Sequence, residues 1–200
     1  MARDSRTTKS SLLRAATDEF AAYGIAGARV DRIAAAAGYN KNLIYVHFGS
    51  KEQLFDAVYE AAVQEILEAA PFDAEDLPGY AGALFDFHHA HPHLMRLSRW
   101  HSLERHGVLL PVAEKANSAK LRALAAAQGE GKVDAGLPPH LLLALLVALA
   151  GTWAEGGPEP LGELVGAAEI AARRHAVVVS VGRLTRPGAP GRPLPGTFTS

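Results

Sequence analysis

Gly38-Tyr39-Asn40-Lys41-Asn42-Leu43-Ile44-Tyr45-Val46-His47-Phe48-Gly49-Ser50-Lys51 is the stretch on which the reading of this 200-residue chain turns. Gly38 closes a short helix predicted over 30–37, whose Val30, Ile33, Ala34 and Ala37 share one side. Asn40 then reads as an N-cap, its side-chain oxygen free for a backbone N–H of the next turn. A second short helix follows over 41–48, until Gly49-Ser50 breaks it and Ser50 caps another. Two short helices joined by Gly38-Tyr39-Asn40 make a helix-turn-helix over 29–48. On a wheel of about 100° per residue with Ile44 inward, Phe48, Lys41 and His47 flank it, and Asn42 and Val46 face outward. Leu43 and Tyr45 take the shoulders. One edge can anchor; the other carries an amide able to read a base edge, on a rod narrow enough for a major groove about 12 Å wide.

The flanks suit the same purpose. Lys41 can reach a guanine or a phosphate, Tyr45 a groove wall, and His47 an imidazole's length further. Lys51 stands beside a helix N-terminus, where backbone N–H groups also favour a phosphate, and Arg29 opens the preceding helix in the equivalent place. Charge agrees: 20 basic against 21 acidic residues leave −1 overall, but residues 1–51 carry +4 and the rest −5. A basic end on an acidic body suits a chain whose first part alone meets a polyanion, although surface charge also clusters by chance.

Outward from this segment the chain reads as all-α. Helices are predicted over 6–23, with Leu13, Ala16, Phe20 and Tyr23 inward and Gly24 as terminator, and over 51–70 up to Pro71. Further helices are expected over 79–89, 93–106, 111–128, 139–154 and 161–184, with Pro92 as a break, 155–160 as a loop and 185–200 as a disordered Pro/Gly-rich tail. The expected division is 6–66, 67–184 and the tail. The absence of Cys removes disulfides, thiol nucleophiles and zinc ribbons, and suits a reducing cytosol. No secretory signal is expected from a first ten residues without an apolar stretch, and no membrane span from an apolar run of only 141–150.

Residues 6–66 resemble the DNA-binding domain of the tetracycline-repressor (TetR) family of transcriptional regulators. The resemblance rests on Leu13, Ala16, Phe20, Gly24, Val30, Ile33-Ala34, Ala37-Gly38, the run from Leu43 to Phe48, Ser50-Lys51 and Leu54-Phe55. It implies that Tyr45, His47 and Lys51 approach phosphates, and that residues 40–45 carry base contacts. Arg29 departs from the usual Ser or Thr cap, and Asn42 and Val46 from the usual residues at groove-facing places, so the operator cannot be borrowed from a relative. The rest of the chain would then be a helical dimerisation and ligand-binding domain.

The later residues support that role independently. Leu142, Leu145, Leu146 and Leu149 belong to a helix apolar all round, and Leu164, Ala168, Ala172 and Val179 to the next. Paired across two chains they make a four-helix homodimer contact; alone they make a subunit core. A dimer would present two reading helices to successive major grooves about 34–36 Å apart, which calls for palindromic double-stranded DNA. The candidate pocket for an unidentified small-molecule effector is lined by Phe72, Phe85, Phe87, Met95, Trp100 and Leu103, with Leu94, Leu97 and Trp153 near; the same stripe also makes ordinary core.

Two other readings remain open. Six of the nine histidines (His88, His89, His91, His93, His101, His106) fall within 19 residues, so a metal sensor or small helical metalloprotein is the alternative. No HExxH, Glu-x-x-His pair, phosphate loop or nucleophile elbow accompanies them, and neither an enzyme nor a cofactor is expected. The other is a helix-turn-helix adaptor without DNA affinity.

Overall fold

The computed structural model describes residues 2–108, 110–154 and 166–188, with side chains from residue 5. Among them there is no strand. The helices are α1 (Ala2–Gly27), α2 (Val30–Ala37), α3 (Asn42–Phe48), α4 (Lys51–Ala69), α5 (Leu77–Ala90), α6 (Pro92–Glu104), α7 (Pro111–Gly129), α8 (Pro139–Ala150) and α9 (Ala167–Thr185). The chain folds as two compact units, one of Met1–Ile66 with Ala90–Glu114, the other of Leu67–His89 with Lys115–Ser200. One boundary between the units falls between Ile66 and Leu67, where the sequence also suggests one; the difference is that residues 90–114 return to the first unit, where α6 packs along α1.

In the first unit α1 turns Leu12, Ala16 and Phe20 inward, at i, i+4 and i+8. Leu13 is only half-buried and Tyr23 is exposed, under the Arg32 guanidinium 4.5 Å from its ring centre. Ala16 and Phe20 are thus inward as expected, while Leu12 takes the inward place expected of Leu13 and Tyr23 turns out. A 3.6-residue period allows either, and the packing of α6 beside Ala21 selects it. Phe20 meets Phe55 of α4 edge-on at 5.2 Å, and Ile33, Ile44, Leu54 and Leu97 complete a closed apolar centre. Pro92 does not merely interrupt the chain; it takes the first turn of α6, where its missing N–H costs nothing. Arg105 grips Asp56 with both Nε (3.1 Å) and Nη2 (2.5 Å), fastening the end of α6 to α4.

In the second unit α5 supplies Leu77, Tyr80, Ala81, Leu84, Phe85 and Phe87, α7 Leu124 and Ala127, and α9 Val177 and Val181. The α8 helix stops at Ala150, short of the expected 154, and buries Leu142, Leu143, Leu146 and Ala150. Leu142 and Leu146, expected at a contact between two chains, thus belong to the subunit's own core; an all-apolar helix gives no sign of which side its neighbours will cover. Leu141, Leu145 and Val147 stay exposed, and Leu149 is half-buried. On α9, Ala168 and Ala172 are exposed and Val179 half-buried. Thr185, expected to begin the tail, is the buried last residue of α9. The expected interface residue Leu164, the start of the last helix at 161, the 155–160 loop and the tail beyond 188 lie outside the described residues. No helix of the described residues is long and apolar enough to cross a membrane.

Candidate nucleic-acid interface

The α2–α3 junction is built from backbone chemistry that the sequence carries locally. Gly38 adopts the left-handed conformation (φ 76°, ψ 27°), and its N–H and that of Tyr39 reach back to the carbonyls of Ala35 (3.1 Å) and Ala34 (2.9 Å). This pair of reversed bonds closes α2 and turns the chain sharply, at a position where a Cβ would be strained. Asn40 Oδ1 accepts the Asn42 N–H at 2.9 Å, the capping role expected of it. Ser50 Oγ accepts the Gln53 N–H at 3.1 Å and starts α4.

Within α3 only Ile44 is fully buried, and Val46 (74% exposed) and Tyr45 (49% exposed) face outward with Asn42. Leu43, His47 and Phe48 are half-buried, the His47 ring standing edge-on to Phe48 at 6.2 Å. Lys41 is exposed and pairs with exposed Asp31 at 3.2 Å, a bond in water worth about 0–1 kcal/mol and easily exchanged for a phosphate. Lys51 Nζ donates to the Ala28 carbonyl at 3.3 Å, which holds its charge beside the start of α4. Arg29 is exposed and its side chain caps nothing. All eight expected DNA-contact positions, Arg29, Asn40, Lys41, Asn42, Leu43, Tyr45, His47 and Lys51, therefore lie in one helix-turn-helix or at its edge; Leu43, His47 and Lys51 are half-buried and the rest exposed.

Sequence reasoning missed two carboxylates that brace this element. Glu19 Oε1 of α1 accepts the Arg29 N–H (2.8 Å) and the Arg32 Nε–H (2.8 Å), performing the capping that Arg29 cannot. Burial works to raise the Glu19 pKa, but the bonds from Arg32 and from the Arg29 backbone outweigh it, leaving the carboxyl below its ordinary range. Glu104 of α6 accepts the N–H groups of Ile25 (3.1 Å) and Ala26 (2.8 Å), the α1 residues that follow the Gly24 kink and lead to α2. Partners separated by 10 and by 79 residues leave no local signal.

The expected effector-pocket residues are divided between the two units. Phe72, Phe85 and Phe87 belong to the second unit, whereas Met95, Trp100 and Leu103, like Leu94 and Leu97, belong to the first. The division arises because the chain changes unit between α5 and α6. Leu103 is 73% exposed, and with Trp100 it borders a shallow groove of about 210 Å³ rather than an enclosed site. A larger cavity, about 300 Å³, lies within the second unit, and of the expected residues it takes Phe85 and Trp153. Its wall includes buried His88 beside Ile170, and Glu169 paired with Arg173 at 2.8 Å. His88 Nδ1 lies 3.4 Å from the Ala150 carbonyl, which can only accept, so the proton sits on Nδ1. Burial lowers the His88 pKa more than this bond raises it, and the ring is neutral. Such a wall suits a small, mainly apolar molecule with one polar end. Among the described residues no three His, Asp or Glu side chains converge as a metal site would require, and His88 and His89 fold into a different unit from His91, His93, His101 and His106.

The comparisons with known proteins agree with this architecture. Residues 12–58 match the model for bacterial regulatory proteins, tetR family, and residues 76–183 that for a tetracyclin repressor-like C-terminal domain. The chain is 42% identical over 168 residues to the HTH-type transcriptional repressor SCO4008 of Streptomyces coelicolor, covering 82% of this chain and 87% of that protein. The solved structure of SCO4942 from the same organism superposes with a TM-score of 0.76 at 38% identity, over 90% of this chain and 99% of that one. A tetR-family structure from Pseudomonas syringae shares the fold, with a TM-score of 0.64 at 23% identity over 88% and 95% of the two chains. With a braced helix-turn-helix at one end and a matching helical domain filling the rest, this chain belongs to the tetR family of bacterial regulatory proteins.

Proposed function

We propose that this chain is a homodimeric one-component transcriptional repressor that reads a palindromic operator through α3 and is released by a small molecule. The observation that carries the reading is α3 itself: one buried anchor, Ile44, behind an outward edge of Asn42, Tyr45 and Val46, between two capped turns. Such a helix brings little affinity alone, so two are needed, and exposed Leu141 and Leu145 of α8 with Ala168 and Ala172 of α9 offer the apolar face for a second copy. The sense of the regulation, repression, is taken from the printed name of SCO4008. The effector would enter the cavity around Phe85, His88 and Trp153. A hundred-fold loss of DNA affinity requires it to prefer the released form by about 2.7 kcal/mol, an ordinary coupling energy.

The test is selection of genomic DNA fragments by the purified protein, followed by titration at several salt concentrations. Binding should need an inverted repeat and weaken steeply with salt. Tyr45→Ala and Lys51→Ala should each bind about ten-fold more weakly with unchanged helix content. Wild-type binding by both variants overturns the assignment of α3 as the reading element.

A further inference from the structure

The α1–α2 turn has an unusual supply of hydrogen-bond partners. Gly24 (φ 66°, ψ −172°) interrupts α1. The next two N–H groups, of Ile25 and Ala26, point instead at the two oxygens of one carboxylate, Glu104 Oε1 at 3.1 Å and Oε2 at 2.8 Å. Glu104 is the last residue of α6, and one turn earlier on the same helix Trp100 donates Nε1–H to the Ala21 carbonyl at 3.4 Å. The two side chains occupy the place of a missing Cβ: at Gly24 a Cβ would collide with the Glu104 carboxylate and stand 2.8 Å from the Trp100 ring. From the other direction Glu19 holds the Arg29 N–H and Lys51 the Ala28 carbonyl. The turn that aims α2 and α3 is thus gripped from both ends, and α6 supplies one grip.

We propose that Glu104 is a positioning residue for DNA reading: by holding the Ile25 and Ala26 N–H groups it sets the pose of α2–α3, and so the spacing of half-sites that a dimer accepts. The inference rests on the reading of the chain as a DNA-binding dimer and adds the residue that aims its heads. A carboxylate suits the task because its two oxygens form charge-assisted bonds to two consecutive donors. Replacement by Ala leaves both donors to water and frees the turn to rotate about Gly24. Glutamine keeps the shape and one carbonyl acceptor.

The experiment uses the full chain and a series of inverted repeats, taken from the selected fragments, with the gap between half-sites changed by one and two base pairs. Wild type should prefer one gap. Glu104→Ala should bind that gap about ten-fold more weakly and lose most of its preference over the neighbouring gaps, with Glu104→Gln between them. Ser102→Ala, an exposed site on α6 whose hydroxyl bonds the Ser98 carbonyl, should match wild type. A merely structural role would instead lower the folded fraction and weaken all gaps alike. In hydrogen exchange both the Ile25 and Ala26 amides should open at least ten-fold faster in Glu104→Ala, and one of the two in Glu104→Gln, which reads the latch without DNA. Unchanged gap preference in Glu104→Ala, or unchanged exchange at these two amides, overturns the proposal and leaves the DNA reading standing. A wild-type protein that binds none of the repeats overturns both.

Discussion

Helices α3 and α8 are both short and both leave apolar side chains in water, yet they do so in opposite ways. The first buries a single residue, Ile44, and its open edge mixes Tyr45 and Val46 with Asn42. The second buries four residues and carries no Asp, Glu, Lys or Arg at all, so the part its own subunit leaves open is a plain apolar stripe of Leu141 and Leu145 with Val147 nearby. A mixed edge can exchange water for base edges and thymine methyls, whereas a stripe without hydrogen-bonding groups gains only by meeting another such stripe. Exposure alone does not say what a surface is for; the company of the exposed residues does.

The comparison breaks first at Ile44. Ile44→Ala removes the one anchor of α3 and is expected to cost about 2–5 kcal/mol. In a urea titration DNA binding should disappear well before the helix signal of the second unit; coincident loss would mean that α3 is not separately held. Next comes the stripe. Leu141→Glu with Leu145→Glu should convert a dimer to monomers in sedimentation equilibrium and weaken operator binding about a hundred-fold. Leu142→Ala should destabilise the subunit without changing its mass in solution, and a reversed outcome would return Leu142 to the interface.

A smaller effect is expected at the rim of the reading head. Lys51→Ala should reduce the dependence of log affinity on log salt by about one for each head, as the loss of one phosphate contact requires. An unchanged slope would leave Lys51 as a brace for the Ala28 carbonyl alone.

The smallest effect concerns protons. The ordinary His value is 6.5, and burial first of all holds both His88 and His101 below it; at His101 the further pull of Asp56 and Val108 does not reverse the sign. Between 6.5 and these lowered values the unfolded chain binds protons that the folded chain refuses. Stability is therefore full above 6.5 and is lost as pH falls through the native values. Thermal midpoints should fall between pH 7.5 and 5, and less so in His88→Phe; a flat profile in wild type would show that neither ring is held neutral.

The legible part of this protein was the part whose partners are close in sequence. The bonds of Gly38, Asn40 and Ser50 span two to five residues, and each forms as the local pattern requires. The anchoring of Ile44 was legible too, because a short helix with one apolar edge has one way to lie down. On α1 the sequence places Ala16 and Phe20 inward, but Leu12 and Leu13 both fit the period, and the packing of α6 decides for Leu12. On α8 the period carried no information, and Leu142 and Leu146 went to the core.

By itself the amino-acid sequence determined an all-helical chain, its helix-turn-helix and the residue types on the outward edge of α3. These follow from caps, glycine turns and apolar spacing within a few residues. Only the tertiary structure decided that α6 joins the first unit, that Glu19 and Glu104 brace the α1–α2 turn, and that the cavity lies around His88 and Trp153. Those are meetings of groups far apart in the chain; Ile25 and Glu104 alone lie 79 positions apart. Chain entropy opposes every such meeting, and only the packing of whole helices selects among them.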